Sequence, residues 1–264
     1  MVRSLWTAAT GMNGQQSNID AISNNLSNVN TTGYKQQRVE FEDLTYQTYQ
    51  HAGTPATEDT VKPVGIQQGT GVRVAATQRI MTQGSLQNTG VSTDLAITGE
   101  GFFRLLNYDG GYVYTRDGSF KVDSNGQLVN SNGLRVMPEI ILPENFDINT
   151  LNITQTGKVS VKVNGENDPV DVGQIELYRF PNPVGLHAEG DNLFKVTAAS
   201  GESYAGRPGI DGFGETRHKF LEMSNVSVVN EMVQMIVAQR AYEFDSKAIQ
   251  TSDSMLSTAV NLKR

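Results

Sequence analysis

The chain has no cysteine, and that single absence removes disulfide frameworks, thiolate nucleophiles and cysteine-based zinc sites together. Long apolar runs are missing too. Nowhere do about 18 apolar residues follow one another, so no segment reads as a transmembrane helix. Basic charge is in short supply: 21 Lys and Arg stand against 28 Asp and Glu, a formal net charge of -7. Such a surface repels nucleic-acid phosphates and anionic lipid, and no nucleic-acid partner is expected. Aromatics make up only 8% of the 264 residues, whereas glycine occurs 26 times. That balance favours turn-rich β structure over a helical bundle.

Signals for catalysis or cofactor binding are equally scarce. His51, His187 and His218 show no HExxH or similar spacing and read as scattered surface residues. Gly69-Thr-Gly71 and Gly99-Glu-Gly101 lack the third glycine of a dinucleotide fingerprint, and no phosphate loop is present. Asp123-Ser-Asn-Gly126 begins like a calcium loop, but its closing glutamate is missing and it falls where a hairpin turn is expected. No Gly-x-Ser-x-Gly elbow occurs. Glu40, Glu42 and Asp43 read as a solvated face. The expectation is therefore a protein that is not an enzyme and holds no metal or cofactor. The first residues, Met1-Val-Arg-Ser-Leu-Trp-Thr-Ala-Ala-Thr-Gly11, offer no unbroken apolar stretch and no Ala-x-Ala cleavage site. Any passage out of the cytoplasm is expected to use a route other than a cleaved signal peptide.

What the chain does contain lies at its two ends. Leu5, Ala9, Met12, Ile19, Ile22, Leu26 and Val29 recur at steps of three or four around a polar Gln16. The spacing predicts a helix of roughly 25 residues, about 37 Å long. Gly33 follows as a stop able to adopt the left-handed conformation. At the other end Val228, Met232, Met235, Tyr242, Ile249, Leu256 and Val260 keep heptad a/d spacing, with Gln239, Ser246 and Asp253 filling the gaps. A helix from Val228 to Leu262 would run about 52 Å. Ser227 is placed to cap it, Glu231 lies near its positive end, and Lys263 and Arg264 near its negative end.

Between the ends the pattern turns to short β-branched and aromatic runs. Asp109-Gly110, Asp117-Gly118, Asn125-Gly126 and Asn132-Gly133 punctuate a meander of hairpins. Further strands are expected over 72–80, 102–106, 151–154, 159–163, 175–180 and 193–196. The segment from Tyr46 to Gly65, with Pro55 and Pro63, has no sustained periodicity and reads as a long loop, unusual enough at about 20 residues to suggest function.

Ile22-Ser-Asn-Asn-Leu-Ser-Asn-Val-Asn-Thr-Thr-Gly-Tyr-Lys35 resembles the N-terminal signature of the flagellar rod and hook axial family. Glu222-Met-Ser-Asn-Val-Ser-Val228 and Glu231-Met-Val-Gln-Met-Ile-Val-Ala-Gln-Arg-Ala-Tyr242 resemble its C-terminal half. The interior agrees at Gly99-Glu-Gly-Phe-Phe103 and Tyr114-Thr-Arg-Asp-Gly-Ser-Phe120. Within the family, the length and Phe41-Glu-Asp-Leu-Thr-Tyr46 with the proline-bearing segment look most like the members that build the distal rod. The resemblance implies family-motif roles for Asn24, Asn25, Asn28, Gly33, Tyr34, Lys35, Gln239, Arg240 and Ala241, and a rod-specific role for Tyr46, Tyr49, Pro55 and Pro63.

The expected fold class is thus α+β, with long N- and C-terminal helices forming an α-helical coiled-coil domain and a central all-β domain of short strands and hairpins. The expected divisions are 1–35, 36–68, 69–220 and 221–264. The function implied is a structural subunit of the distal rod in the periplasm, transmitting torque and enclosing an export channel. Its implied partners are other copies of itself in a helical homopolymer, proximal rod proteins, the hook protein at the distal end, surrounding ring proteins and the export apparatus. A hook or proximal-rod subunit is the near alternative. A secreted β-rich cell-wall hydrolase is the distant one and would need a carboxylate pair in a cleft. A monomeric binding module with its terminal helices packed intramolecularly is the third.

Overall fold

A computed structural model describes residues 2–53, 55–57, 60–144, 146–163 and 168–261. One helix stands at each end, α1 over Val2–Ser27 and α2 over Val228–Asn261, and the regular structure between them is β apart from two short 3-10 turns. Leu262, Lys263 and Arg264 of the expected last turn, and Thr54, Glu58 and Asp59 of the expected loop, lie outside the described residues. Among the described residues no helix is long and apolar enough to cross a membrane.

The chain divides into two compact units. The first gathers residues 1–26, 37–78 and 227–264, which bring together α1, α2 and a set of two-stranded ladders. The helices run antiparallel. Ser4 Oγ lies 3.2 Å from Ser252 Oγ, Gly11 lies against Asp245, and Asn25 bonds Glu231, so each step forward along α1 matches an equal step back along α2.

These contacts correct the expected coiled coil. A coiled coil needs apolar knobs at both a and d, yet Val228, Met232, Tyr242 and Val260 are exposed. Met235, Ile249 and Leu256 do turn inward and are half-buried, but they alternate with Glu231, Ala238, Asp245 and Ser252. The inner face of α2 is therefore rotated from the one the heptad pattern marks. Small and hydrogen-bonding side chains, not an apolar seam, hold it to α1.

The segment from Tyr46 to Gly65 is a second correction. Strand Gln37–Asp43 pairs with Val72–Arg79, Tyr46–Gln50 with Ile66–Gly69, and Pro55–Thr57 with Thr60–Val61. The expected loop is thus largely a β ribbon. Its sequence carries no alternation because neither face is buried: Tyr46, Tyr49 and Ile66 are all more than half exposed. Backbone ladders, which leave no apolar signature, hold it together.

The second unit comprises residues 27–36 and 79–226. Its main sheet has seven antiparallel strands in the order Lys121–Val122, Leu128–Val129, Arg135–Met137, Phe103–Leu106, Tyr112–Thr115, Leu193–Lys195 and His187–Gly190. Three of the four expected Gly-bearing turns, at Asp109-Gly110, Asn125-Gly126 and Asn132-Gly133, make its hairpins, whereas Asp117-Gly118 joins Tyr112–Thr115 to Lys121–Val122, two strands that do not pair. In the Asp123–Gly126 turn Gly126 N donates to Asp123 O, and Asp123 Oδ1 accepts from Ser124 N, as local turn chemistry requires. Period-two alternation sends Phe103, Leu105, Val113 and Val136 into the main core with Leu95, Ile97, Val159, Val161, Ile175 and Leu177. The other face carries an aromatic cluster of Phe102, Tyr114, Tyr178, Phe180 and Phe194, with edge-on ring contacts such as Tyr114–Phe180 at 4.8 Å. Two further antiparallel pairs, Leu95–Thr98 with Glu215–His218 and Leu86–Asn88 with Phe220–Glu222, return the chain to the start of α2.

Candidate functional site

In the second unit the three resembling motifs meet at one buried charge cluster. Lys35 closes the N-terminal motif, Arg116 sits in the interior one and Glu222 opens the C-terminal one. Their side chains are 1%, 5% and 0% exposed. Lys35 Nζ donates to Glu222 Oε1 at 2.6 Å and to Thr82 O at 2.7 Å, and Gly84 N donates to the same carboxylate oxygen at 3.0 Å. Arg116 spends Nη1 and Nη2 on the carbonyls of Gly101 and Gly99, each at 2.8 Å. Its Nε lies 3.3 Å from Glu222 Oε2, close enough for attraction but misaligned for a hydrogen bond. Burial pulls both cations below their ordinary pKa, and Glu222 opposes the shift in each.

The rest of the N-terminal motif builds the walls of this cluster. Gly33 is buried with φ +68, and a Cβ there would stand 2.6 Å from Asp117 N. The expectation that Gly33 ends the helix needs adjusting, because α1 stops at Ser27. Gly33 is left-handed so that the chain can pass the Arg116–Asp117 backbone and donate its N–H to Glu222 O at 2.8 Å. Tyr34 is buried beneath Arg79, whose guanidinium carbon lies 6.0 Å from the ring centroid. Asn28 accepts from the Thr31 hydroxyl at 3.1 Å. Val29 lies past the end of α1, off the stripe assigned to it.

In the first unit Asn25 ties the helix pair to the strand Gln37–Asp43. It is 1% exposed; its Nδ2 donates to Gln37 O at 2.8 Å and Glu231 Oε2 at 3.1 Å, while its Oδ1 accepts from Gln37 N at 2.9 Å. A carboxamide is suited to this, since it donates and accepts at once. Asn24 stays exposed, Ile22 is 2% exposed, and Leu5, Ala9, Met12, Ile19 and Leu26 are half-buried. Gln239 and Arg240 point outward, and Ala241 is half-buried.

Gly11 and Asp245 were not anticipated as site residues. A Cβ at Gly11 would come within 2.6 Å of Asp245 Oδ2, so glycine is what lets the helices approach there. Burial raises the Asp245 pKa above its ordinary carboxylate value. A raised folded-state pKa contributes stability that is present at low pH and lost as pH rises through the folded value. The α1–α2 contact is therefore expected to tighten as pH falls toward 4, slowing amide exchange in the middle of α1 several-fold, while Asp245→Asn stays protected at both ends of the range. An identical pH trend in the Asn variant would remove Asp245 from the contact.

On the ribbon, the Tyr49 hydroxyl donates to Gln68 Oε1 at 3.3 Å, and Arg3 of α1 stacks 5.4 Å from the Tyr49 ring centroid. Tyr46 and Pro63 are exposed, and the backbone of Pro55 lies in a strand. The far side of α2 is apolar and open: Val229, Val233, Ile236, Val237 and Phe244 are 51–71% exposed. Their spacing of three or four residues gathers them on a face about half a turn from Glu231 and Ala238. An exposed patch of this kind marks an interaction surface.

Residues 5–35 match the family described as flagella basal body rod protein, 96–161 the flagellar hook protein FlgE/F/G D1 domain, and 217–262 the flagellar basal body rod FlgEFG protein C-terminal family. A flagellar basal-body rod protein FlgG from Borreliella burgdorferi is 60% identical over 264 residues, covering all of both chains. The chain belongs to the FlgG family of flagellar basal-body rod proteins. FlgG relatives from Caulobacter vibrioides and Bacillus subtilis are 44% and 41% identical, over 99% and 100% of this chain and all of their own. All three charge-cluster residues fall in or beside the matched segments, with Lys35 closing the first, Arg116 inside the second and Glu222 inside the third. Membership of the FlgG family places the chain among structural proteins that assemble into the rod with other flagellar proteins.

Proposed function

We propose that this chain is a subunit of the distal part of the rod, polymerising through its terminal helices into a stiff helical tube that carries motor torque toward the hook and encloses the export channel. The observation that carries the reading is the outward apolar face of α2. A helix already satisfied on its inner side by α1 has no use for Val229, Val233, Ile236, Val237 and Phe244 in water, whereas repeated contacts with neighbouring copies would bury them. Contacts of one face against a different face propagate as an open helix. The proposed partners are further copies of the chain, proximal rod proteins on one side, the hook protein at the distal end, the surrounding rings, and the export apparatus that delivers the subunit.

Stiffness is assigned to the ribbon. Tyr46 and Tyr49 offer large contact surfaces of low conformational entropy, and Pro55 and Pro63 restrict the backbone. Paired strands resist bending more than a loop does, so the ribbon is suited to locking one subunit against the next. Deleting residues 48–64 is expected to leave export and polymerisation intact but to give curved, more flexible polymers under electron microscopy. Straight polymers of unchanged bending stiffness would assign the locking role elsewhere.

A further inference from the structure

Arg240 stands in the middle of the outward apolar face of α2. Ile236 and Phe244 lie four residues to either side of it and Val237 three before it, spacings that put all of them on one side of a helix; they are 51%, 68% and 63% exposed. Arg240 is itself exposed and, among the described residues, makes no ion pair, hydrogen bond or ring contact. By contrast, Arg38 and Arg73 pair with Glu40 and Glu42, and Lys247 lies 5.9 Å from the centroid of the Phe244 ring.

The complementary group lies on another face of the same helix. Asp245 borders a cleft of about 610 Å3 between α1, α2 and the ribbon, where Ser4, Thr7, Ala8 and Gly69 keep the walls low. Its carboxylate makes no hydrogen bond or ion pair among the described residues, yet neither oxygen is buried, so both can be reached from the cleft. Arg3 borders the same cleft but is committed elsewhere, stacked 5.4 Å from the Tyr49 ring centroid and donating to Gln68 Oε1 at 3.5 Å. Asp245 differs in this from Glu40, Glu42 and Glu231, which have partners, and from Glu243 and Asp253, which stand exposed to water. Half-buried without a counter-charge, it is the acid for which a cation delivered into the cleft would do most.

We propose that the guanidinium of Arg240 in one copy of this chain enters the Asp245 cleft of the next copy and pairs with that carboxylate. The inference rests on the polymer reading above, under which a neighbouring copy covers the outward face of α2. A guanidinium covered along with that face is costly unless an acid meets it. The Asp245 cleft supplies such an acid, already drawn partly out of water and open on one side. Five residues separate the two positions, which sets them about 140° apart around a helix of 3.6 residues per turn. Each copy thus gives its cation to one neighbour and its acid to another, a heterologous contact that propagates.

The test uses the full chain in polymerisation assays. Arg240→Glu and Asp245→Arg are each expected to raise the subunit concentration needed for assembly several-fold. An equal mixture of the two is expected to assemble near the wild-type threshold, because alternating copies restore an opposite-charge pair at every contact. Either single variant assembling at the wild-type threshold, or a mixture no better than its components, overturns the pair and leaves the polymer reading standing. Where Asp245→Arg loses helix content by circular dichroism, Asp245→Asn and Arg240→Gln take the place of the swap. Each is then expected to raise the threshold, and the double variant to raise it no further than the larger single effect; fully additive effects overturn the pair. A wild-type chain that stays monomeric overturns the rod reading and the pair with it.

Discussion

Replacing Glu222 by alanine is expected to lower the unfolding free energy of the chain by about 3–5 kcal/mol, because it leaves two buried cations without their counter-charge. Among the described residues this carboxylate is the anion that joins the two cations: Oε1 binds Lys35 and the Gly84 amide, and Oε2 faces Arg116. With the native margin of a domain at roughly 5–15 kcal/mol, a loss of that size removes much of it. Chemical denaturation of the full chain would read the change as a fall in midpoint. Lys35→Met is expected to cost less, since Glu222 keeps Arg116 and Gly84, and the double variant Lys35→Met, Glu222→Gln should cost less than the sum of the two single changes. A loss below about 1 kcal/mol for Glu222→Ala would mean that water reaches the cluster and solvates its cations.

The second large effect concerns assembly rather than folding. Val233→Asp or Ile236→Asp is expected to abolish polymer while leaving helix content unchanged by circular dichroism, since both positions are more than half exposed in the single chain. In a polymer the same carboxylate would be buried against apolar surface at every repeated contact, at a cost of several kcal/mol each. Wild-type polymer from either variant would show that this face of α2 stays in water and would shift the subunit contact to another surface.

Both helices are legible in the sequence because periodicity survives without tertiary context: α1 begins at Val2 and α2 at Val228, close to where the stripes begin. Most hairpins are legible because turn residues are read locally, and the runs at 72–80, 102–106 and 193–196 coincide with strands Val72–Arg79, Phe103–Leu106 and Leu193–Lys195. The inner face of α2 is not, because the heptad rule scores apolarity, whereas Glu231, Asp245 and Ser252 turn inward by virtue of hydrogen bonds and a glycine opposite. The ribbon escapes for the related reason that backbone pairing without burial imposes no pattern on side chains. Strand Leu95–Thr98, fully buried over its first three residues, is too short for its apolar run to declare a period. The charge cluster was visible only as three separate motifs. Nothing in Lys35, Arg116 or Glu222 taken singly announces that they touch, since charge pairing has no spacing rule across folded strands.

The pairing of Lys35 with Glu222 spans 187 positions of chain, and that separation bears on the order in which the protein acquires its shape. Until residue 222 is available, the second unit has two cations at its centre and no acid to join them, and its strand Leu86–Asn88 has no Phe220–Glu222 to pair with. Closure of so distant a contact comes late, after the local hairpins, because the loop entropy must be spent before the contact returns anything. A chain emerging from its N-terminus therefore cannot complete this unit early, and the residues that complete it arrive immediately before α2. Maturation of the β unit and availability of the C-terminal helix are in this way timed together by the position of one glutamate.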